Sequence, residues 1–486
     1  SIEGRSGASS AAAIAAAAAS SQAATASAAT TRAQSLLTRA LKTYKERGDA
    51  QALARAQALA GANQIIIDGA VVTVTDGLYD ATTNPTGGLK PAVTTATSTG
   101  DVSTIADSTA TWTGAELPTV ATDNANDVTI VQNQQKAVLT WETFDIGKNT
   151  TLYFDQTAGG SDVANWIALN RVLDPSASPS KILGSIVADG QVYVINKNGI
   201  IFGGSSQVDV HTLLASSLSL TNKQFAAGIN AQLYISRTGG YNYSIPTLGV
   251  YGSAPSEGLA ADSQSGALVL GDAPGDVEVR EGAQITTQSG GKAMLFAPHV
   301  TNAGTISAPD GQVILAAGEN VWLNDRQEYD EDTYTLVTLR GLDVAVSAPS
   351  KFLYAYDQYM GAIGEWTAFI TYTRTLRAQV LTPMEERAAS VGYSVTNTGV
   401  VNAERGIILL QGYSVNQLGT LYATTALDNL AGEIILRAWG QGSYAYDNSN
   451  YSRLSYWSGG TLTLGSDSIT LVEPDSSDTG TISSWL

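Results

Sequence analysis

Chemistry needs reactive side chains at workable spacing, and this chain supplies few. Two histidines, His211 and His299, stand far apart, and there is no cysteine. A zinc site needs more N and S ligands than this set readily offers. His211 follows the alternating run 207–210, and His299 precedes an apolar run; both spacings suit a corner histidine better than a general base. No Gly-x-Ser-x-Gly elbow occurs, so a serine nucleophile has no signature. Asp330-Glu331-Asp332 is the densest acidic group. Paired carboxylates can act as acid and base on a glycan, but three in a row read more simply as a solvated turn. Asp76 and Asp80 flank the Gly77 turn without the spacing of a calcium loop. Gly440-Gln441-Gly442 lacks the third glycine and the helix of a phosphate cradle. The residues therefore point away from an enzyme, and no cofactor or metal is expected. A carbohydrate-active reading carried by Asp330 and Asp332 remains the alternative. Tyrosines within 444–456 could grip a sugar or a neighbouring protein, or cover the end of the fold.

Composition narrows the partners. Charged residues are 14% of the chain, well below the roughly 25% of ordinary soluble domains. The net charge of −18, without a run of Lys or Arg, disfavours nucleic acid, whose own backbone is polyanionic. Residues 6–31 are uncharged and mostly Ala, Ser and Thr, too weakly apolar for a bilayer span. A basic segment with an apolar core is missing at the start, so an exported chain of this kind is expected to have shed its signal. A chain threaded unfolded through an oxidising compartment gains from having no thiols to pair wrongly.

The elements follow from periodicity. Residues 1–60 read as an Ala-rich arm with a helical hairpin. Leu36, Leu37, Ala40, Leu41 and Tyr44 share one face, Gly48 interrupts, and Asp49 caps a second helix carrying Leu53, Ala56 and Leu59. The arm either packs on the β body or joins subunits. Short strands follow at 65–67 and 71–75 around Asp68-Gly69, then at 128–131, 137–141 and 151–154. From about Gly271 a repeat decides the fold. Val300-Thr-Asn-Ala-Gly304 matches Val395-Thr-Asn-Thr-Gly399, each leading to an apolar strand, and a further copy starts at Val415. A period near twenty with Gly and Asn corners predicts an all-β chain, a right-handed parallel β-helix over 61–486. Stretches of about 223–275 and 324–390 break the period and are expected as extra-helical hairpin or loop insertions. The second should include strands at 334–339 and 366–372 and a short helix opened by Thr382-Pro383-Met384-Glu385.

The stretch 184–219, GSIVADGQVYVINKNGIIFGGSSQVDVHTLLASSLS, holds two strands joined through Asn196-Lys197-Asn198-Gly199. With Trp141 and Phe144, Leu152-Tyr-Phe154-Asp-Gln156, Asn170-Arg171, and Gly190-Gln191, it resembles the filamentous-haemagglutinin-like secretion domain of two-partner secretion exoproteins. The likeness spans roughly 126–323. It implies a secreted or cell-surface protein of a Gram-negative bacterium, exported via the periplasm and recognised by an outer-membrane barrel transporter, that nucleates β-helix folding outside the cell. The parent would be an adhesin or surface fibre meeting a host-cell or glycan receptor; a self-assembling fibre subunit is the alternative. Where the family has Asn-Pro-Asn-Gly, this chain has Lys197, which loses the fixed φ of proline but keeps the Asn-Gly turn. The resemblance assigns transporter recognition to Asn196, Asn198, Gly199, Ile200, Phe202 and Gly203. A plain β-helix corner is the competing role.

Overall fold

The computed structural model describes residues 4–92, 112–230, 234–236, 242–244, 248–249, 274–318, 320–330, 335–347, 392–426, 431–438, 442–447, 450–457 and 460–475. The chain divides into two compact units, Ser1–Ala50 and Gln51–Leu486. A single helix, Gly4–Ala60, occupies the first and ends in the second. The expected hairpin is therefore corrected to one uninterrupted helix. A glycine inside a helix costs only about 1 kcal/mol against alanine, and Gly48 sits in an alanine- and leucine-rich run that absorbs it. The chain turns at Gly61, whose N–H still reaches the Gln57 carbonyl at 2.9 Å. A β-hairpin follows, Gln64–Ile67 against Ala70–Thr73. Its turn residues Asp68 and Gly69 both take positive φ, 50° and 79°, as a tight two-residue hairpin loop requires.

The second unit is a three-sided parallel β-helix. From Ser180 to Ala438 each coil gives one strand to each of three sheets. Ser180–Ile182, Ser185–Ala188 and Gln191–Asn196 form one coil, and Ile200–Phe202, Gln207–Val210 and Thr212–Ser216 the next. The two stack in register as Ser180↔Ile200, Ser185↔Gln207 and Gln191↔Thr212. The repeat read from the sequence is this stacking: Val300 pairs with Val395, which pairs with Val415. Likewise Leu315, Leu410 and Leu436 stand in one column. Alternate residues point inward, so Val, Ile, Leu and Ala of successive coils form one continuous core.

Strands of the third sheet, the one holding Gln191–Asn196, are buried on both faces. Their outer sides meet a second apolar cluster containing Tyr193, Leu214, Met294, Val321 and Leu342. That is why Lys292–Ala297 and Ile407–Gly412 read as continuous apolar runs rather than alternating ones. The cover comes from two excursions. The first opens with a short helix, Asn222–Ala227, begun by a capping box between Thr221 and Gln224. The second is an antiparallel hairpin, Asn320–Asp330 with Thr335–Ser347. It starts slightly before the expected boundary; the expected strand at 366–372 and helix at Thr382 lie outside the described residues. A further antiparallel pair, Gly442–Asp447 and Asn450–Trp457, leaves the solenoid at the tyrosine cluster.

The N-terminal end of the coils is closed by antiparallel strands. Leu89–Pro91 and Trp112–Thr113 pair with Lys136–Phe144, and Thr119–Val120 pairs with Asp127–Val131. The far end differs. There the outermost described strands, Glu433–Ala438, Thr461–Leu464 and Ile469–Pro474, each have a parallel neighbour on one side.

Candidate transporter-recognition site

The signature segment builds a corner. Val192 and Val194 line the interior, and Asn196 continues that row, opposite Val172 of the preceding coil. An amide in an apolar interior must find partners. Asn196 is fully buried, and its Nδ2 donates to Ser180 Oγ at 2.9 Å. Its Oδ1 accepts from the Asn198 backbone N–H at 2.9 Å, so the side chain itself folds the turn. Gly199 then takes φ +104°, and a Cβ there would stand 2.6 Å from the Asp276 carbonyl of the next coil. Ile200 and Phe202 point into the core, fully buried, and Gly203 is buried beside Leu183. Only Lys197 is exposed and Asn198 half-buried.

The other signature residues lie at both ends of the strand Gln191–Asn196 and on the strands stacked against it. Trp141 is buried edge-on to Trp112 and Phe144, each ring 5.2 Å away. Its indole N–H donates to Asn170 Oδ1 at 3.0 Å, while Asn170 Nδ2 reaches the Ala168 and Tyr193 carbonyls. Asn170 stands between Leu139 and Val194 in the inward row, so the Trp–Asn pair is a satisfied polar rung within the core. Arg171 faces the other way. Its Nη2 donates to the Leu220 carbonyl and Asn222 Oδ1, both at 2.9 Å, pinning the start of the inserted helix. Burial pushes its guanidinium below the ordinary arginine range. Gly190 N–H donates to Gln156 Oε1 at 2.7 Å. Gln191 Nε2 reaches the Ala164 carbonyl, and its Oε1 accepts from Tyr193 Oη.

Further residues support the coils around these positions. Gln132 and Gln156 stand at the same offset after paired strands, four residues past Val128 and Leu152. Gln156 Nε2 donates to Gln132 Oε1 at 2.9 Å, which continues the corner from Gly190. That shared offset was the readable signal. Lys136 caps the inserted helix by donating to the Phe225 and Ala226 carbonyls at 3.2 and 2.6 Å. Further along, Asn302, Asn397 and Gln417 form a buried amide ladder with 2.8 Å steps.

The residues weighed for catalysis have structural placements. His211 Nδ1 lies 3.2 Å from Thr212 Oγ1, and burial together with Lys292 lowers its pKa. His299 Nδ1 lies 3.0 Å from Ser394 Oγ across two coils. Asp76 holds Asn149 through its backbone N–H and its Nδ2 at 3.0 and 2.8 Å. Asp80 closes its own turn onto Thr82 and Thr83. Asp330 ends a hairpin strand, while Glu331, Asp332 and Gly440-Gln441 lie outside the described residues. No described helix is long and apolar enough to cross a membrane.

Comparison with known proteins gives one family. The model of the TPS secretion domain matches residues 103–345, half of the chain, and encloses the corner. A heme/hemopexin-binding protein of Haemophilus influenzae is 32% identical over 120 residues, 25% of this chain and 12% of that protein. A second heme/hemopexin-binding protein of that species is 36% identical over 95 residues, 20% of this chain and 10% of that protein. The chain thus matches only about an eighth of the length of these relatives. Among solved structures, the HMW1 secretion domain from Haemophilus influenzae aligns at a TM-score of 0.41 and 18% identity, over 68% of this chain and 63% of that one. The chain belongs to the TPS secretion domain family, the secretion module of two-partner exoproteins that leave Gram-negative bacteria through the periplasm for the cell surface or the medium.

Proposed function

We propose that the outer-membrane transporter reads the signature segment while it is still extended, and that the folded corner is what the segment becomes after export. The observation that supports this is burial: Asn196, Gly199, Ile200, Phe202 and Gly203 are all covered in the folded chain. A partner can touch such residues only before the coil closes. In this reading the module is a non-catalytic recognition and folding unit. Its end capped by antiparallel strands folds first. Its other end, in this reading, offers the edges of the outermost described strands as a template for the following coil. Folding outside the cell then draws the chain outward.

The parent protein is read as an adhesin or surface fibre, with any host-cell or glycan receptor met by other parts of it. The binding named for the relatives is not carried over, because the shared segment is so small a part of them. The test is export through the matched transporter, comparing the native chain with Asn196→Ala and Asn198→Ala. The expected result is reduced export of both, with the purified variants keeping their β-rich circular dichroism. Full export of Asn198→Ala, with Asn196→Ala merely less stable, would reduce the segment to a corner.

A further inference from the structure

The helical arm carries a charge that the rest of the chain lacks. Residues 1–50 hold six Lys and Arg against three Asp and Glu, which leaves twenty against forty-one in the remainder. The arm is thus net positive and the rest strongly negative. The positive charge is concentrated: Arg32, Arg39, Lys42, Lys45 and Arg47 fall within sixteen residues that contain one acid, Glu46. The exposed Lys42–Glu46 pair, at 3.6 Å, offsets little of it.

The same segment is amphipathic. Leu36 and Ala40, Leu37 and Leu41 stand four apart on one side, where Arg47 also falls, with Arg39, Lys42 and Lys45 on the other. Leu36, Leu37 and Leu41 are 50%, 39% and 37% exposed. A helix of this kind draws most of its stability from something packed on its apolar side. Thr25, Thr30, Thr31 and Thr38 add to that need, because each turns its hydroxyl back onto the carbonyl four residues earlier, which slightly weakens a helix.

We propose that the segment 32–47 is a docking helix for the acidic β-helical body of a second copy of this chain. Charge selects that occupant. Two such helices repel one another, so arm-to-arm pairing is disfavoured. An anionic bilayer attracts the arm but repels the far larger negative charge of the rest. The arm also has no Trp or Phe, the residues that seat interfacial helices. An acidic protein surface meets the cationic side and leaves the leucines to be covered. Arm on body is a head-to-tail contact, which propagates into an open chain unless its rotation closes a ring. The inference is independent of how the transporter reads the corner.

The test is sedimentation velocity of the full chain across concentration at low and high salt. The comparison is the variant Arg39→Glu/Lys42→Glu/Lys45→Glu, with Leu37→Ser/Leu41→Ser as a second. The native chain should self-associate at low salt, about tenfold more weakly at ~0.3 M salt, where exposed charges are screened. Both variants should remain monomeric with unchanged β-rich circular dichroism. A native chain that stays monomeric overturns the proposal, as does association unaltered by either set of changes. Binding of the monomer to phosphatidylglycerol vesicles would reassign the helix to a lipid surface.

Discussion

At the residue scale, the buried pair of Asp145 and Lys181 shows how a coil is locked to its neighbour. Asp145 accepts from the Lys181 backbone N–H at 2.8 Å and faces its ammonium at 3.0 Å. The two side chains are only 18% and 7% exposed. Burial raises the Asp145 pKa and outweighs the pull of the lysine. The pair is thus costly to break on one side only. Lys181→Met keeps the aliphatic stem and the backbone N–H but leaves a buried carboxylate without its cation, which should cost about 3–5 kcal/mol at neutral pH. Because the folded-state pKa of Asp145 is raised, the loss should shrink as pH falls through that value and the carboxylate takes a proton. Urea midpoints at neutral and mildly acid pH measure this; a loss that does not change with pH would show that the ion pair is not its cause. Lys181 stood within a recognisable stretch of the sequence, yet its role was hidden there. Its partner is 36 residues upstream, in a coil whose stacking no local pattern reveals. Asn196 was more legible, because an Asn-x-Asn-Gly run between apolar strands announces its own turn.

At the scale of elements, the end of the long helix is the least expected part. Residues 51–60 lie along a corner of the solenoid. Gln51 bonds the Ala303 carbonyl and the Gly282 N–H, at 2.7 and 2.8 Å. Arg55 Nη1 donates to the Ser206 and Ser205 carbonyls at 2.7 and 3.2 Å, and its Nη2 reaches Gln207. Lys148 reaches back to the Leu59 carbonyl at 3.1 Å. One helical turn advances 5.4 Å and one coil about 4.8 Å, so successive turns meet successive coils. Arg55→Ala removes the donor to the Ser205, Ser206 and Gly282 carbonyls and to Gln207 Oε1 at once and should destabilise the helix end by about 1–3 kcal/mol. Hydrogen exchange of amides 51–60 should speed up while strands such as Gln191–Asn196 keep their protection; unchanged exchange at 51–60 would mean that the bonds do not hold the helix. The sequence marked this segment as helical from Leu53, Ala56 and Leu59, but Gly48 misled. A glycine is read as a break only when nothing stronger surrounds it. The hairpin Asn320–Asp330/Thr335–Ser347 was legible as an excursion. Its anchorage was not, since Gln312 bonds both the N–H and the carbonyl of Leu342, at 2.8 and 2.9 Å, from a position that reads as ordinary strand.

At the scale of the molecule, the solenoid was readable because each coil repeats its inward residues at one period. The N-terminal closure was not, because it uses two- and three-residue strands paired antiparallel to distant partners. The stacking also creates long-range electrostatics that no coil contains alone. Turns at Gly290, Asp310 and Arg405 share a positive φ of 81°, 53° and 49°, and hydrogen bonds link each to the next through Pro309 and Glu404. From the last of them, Arg405 clasps Asp310 with both Nε and Nη2, at 2.6 and 3.1 Å, and Asp475 with Nη1 at 2.7 Å. Ser289 Oγ adds a 2.7 Å bond to Asp310. This clasp holds the Asp310 carboxyl below its ordinary range, with Arg405 the main cause. A carboxylate whose pKa is depressed by folding stabilises the fold fully above its unfolded value, about 3.9. That contribution is lost as pH falls through the lower, folded value. Asp310→Asn should therefore lower the melting temperature at neutral pH. The gap from the native chain should narrow below about pH 4 and close once the native Asp310 is itself protonated. A gap of constant size down to strongly acid pH would mean that the side chain acts by shape alone, and that the coils owe nothing to this charge relay along their edge.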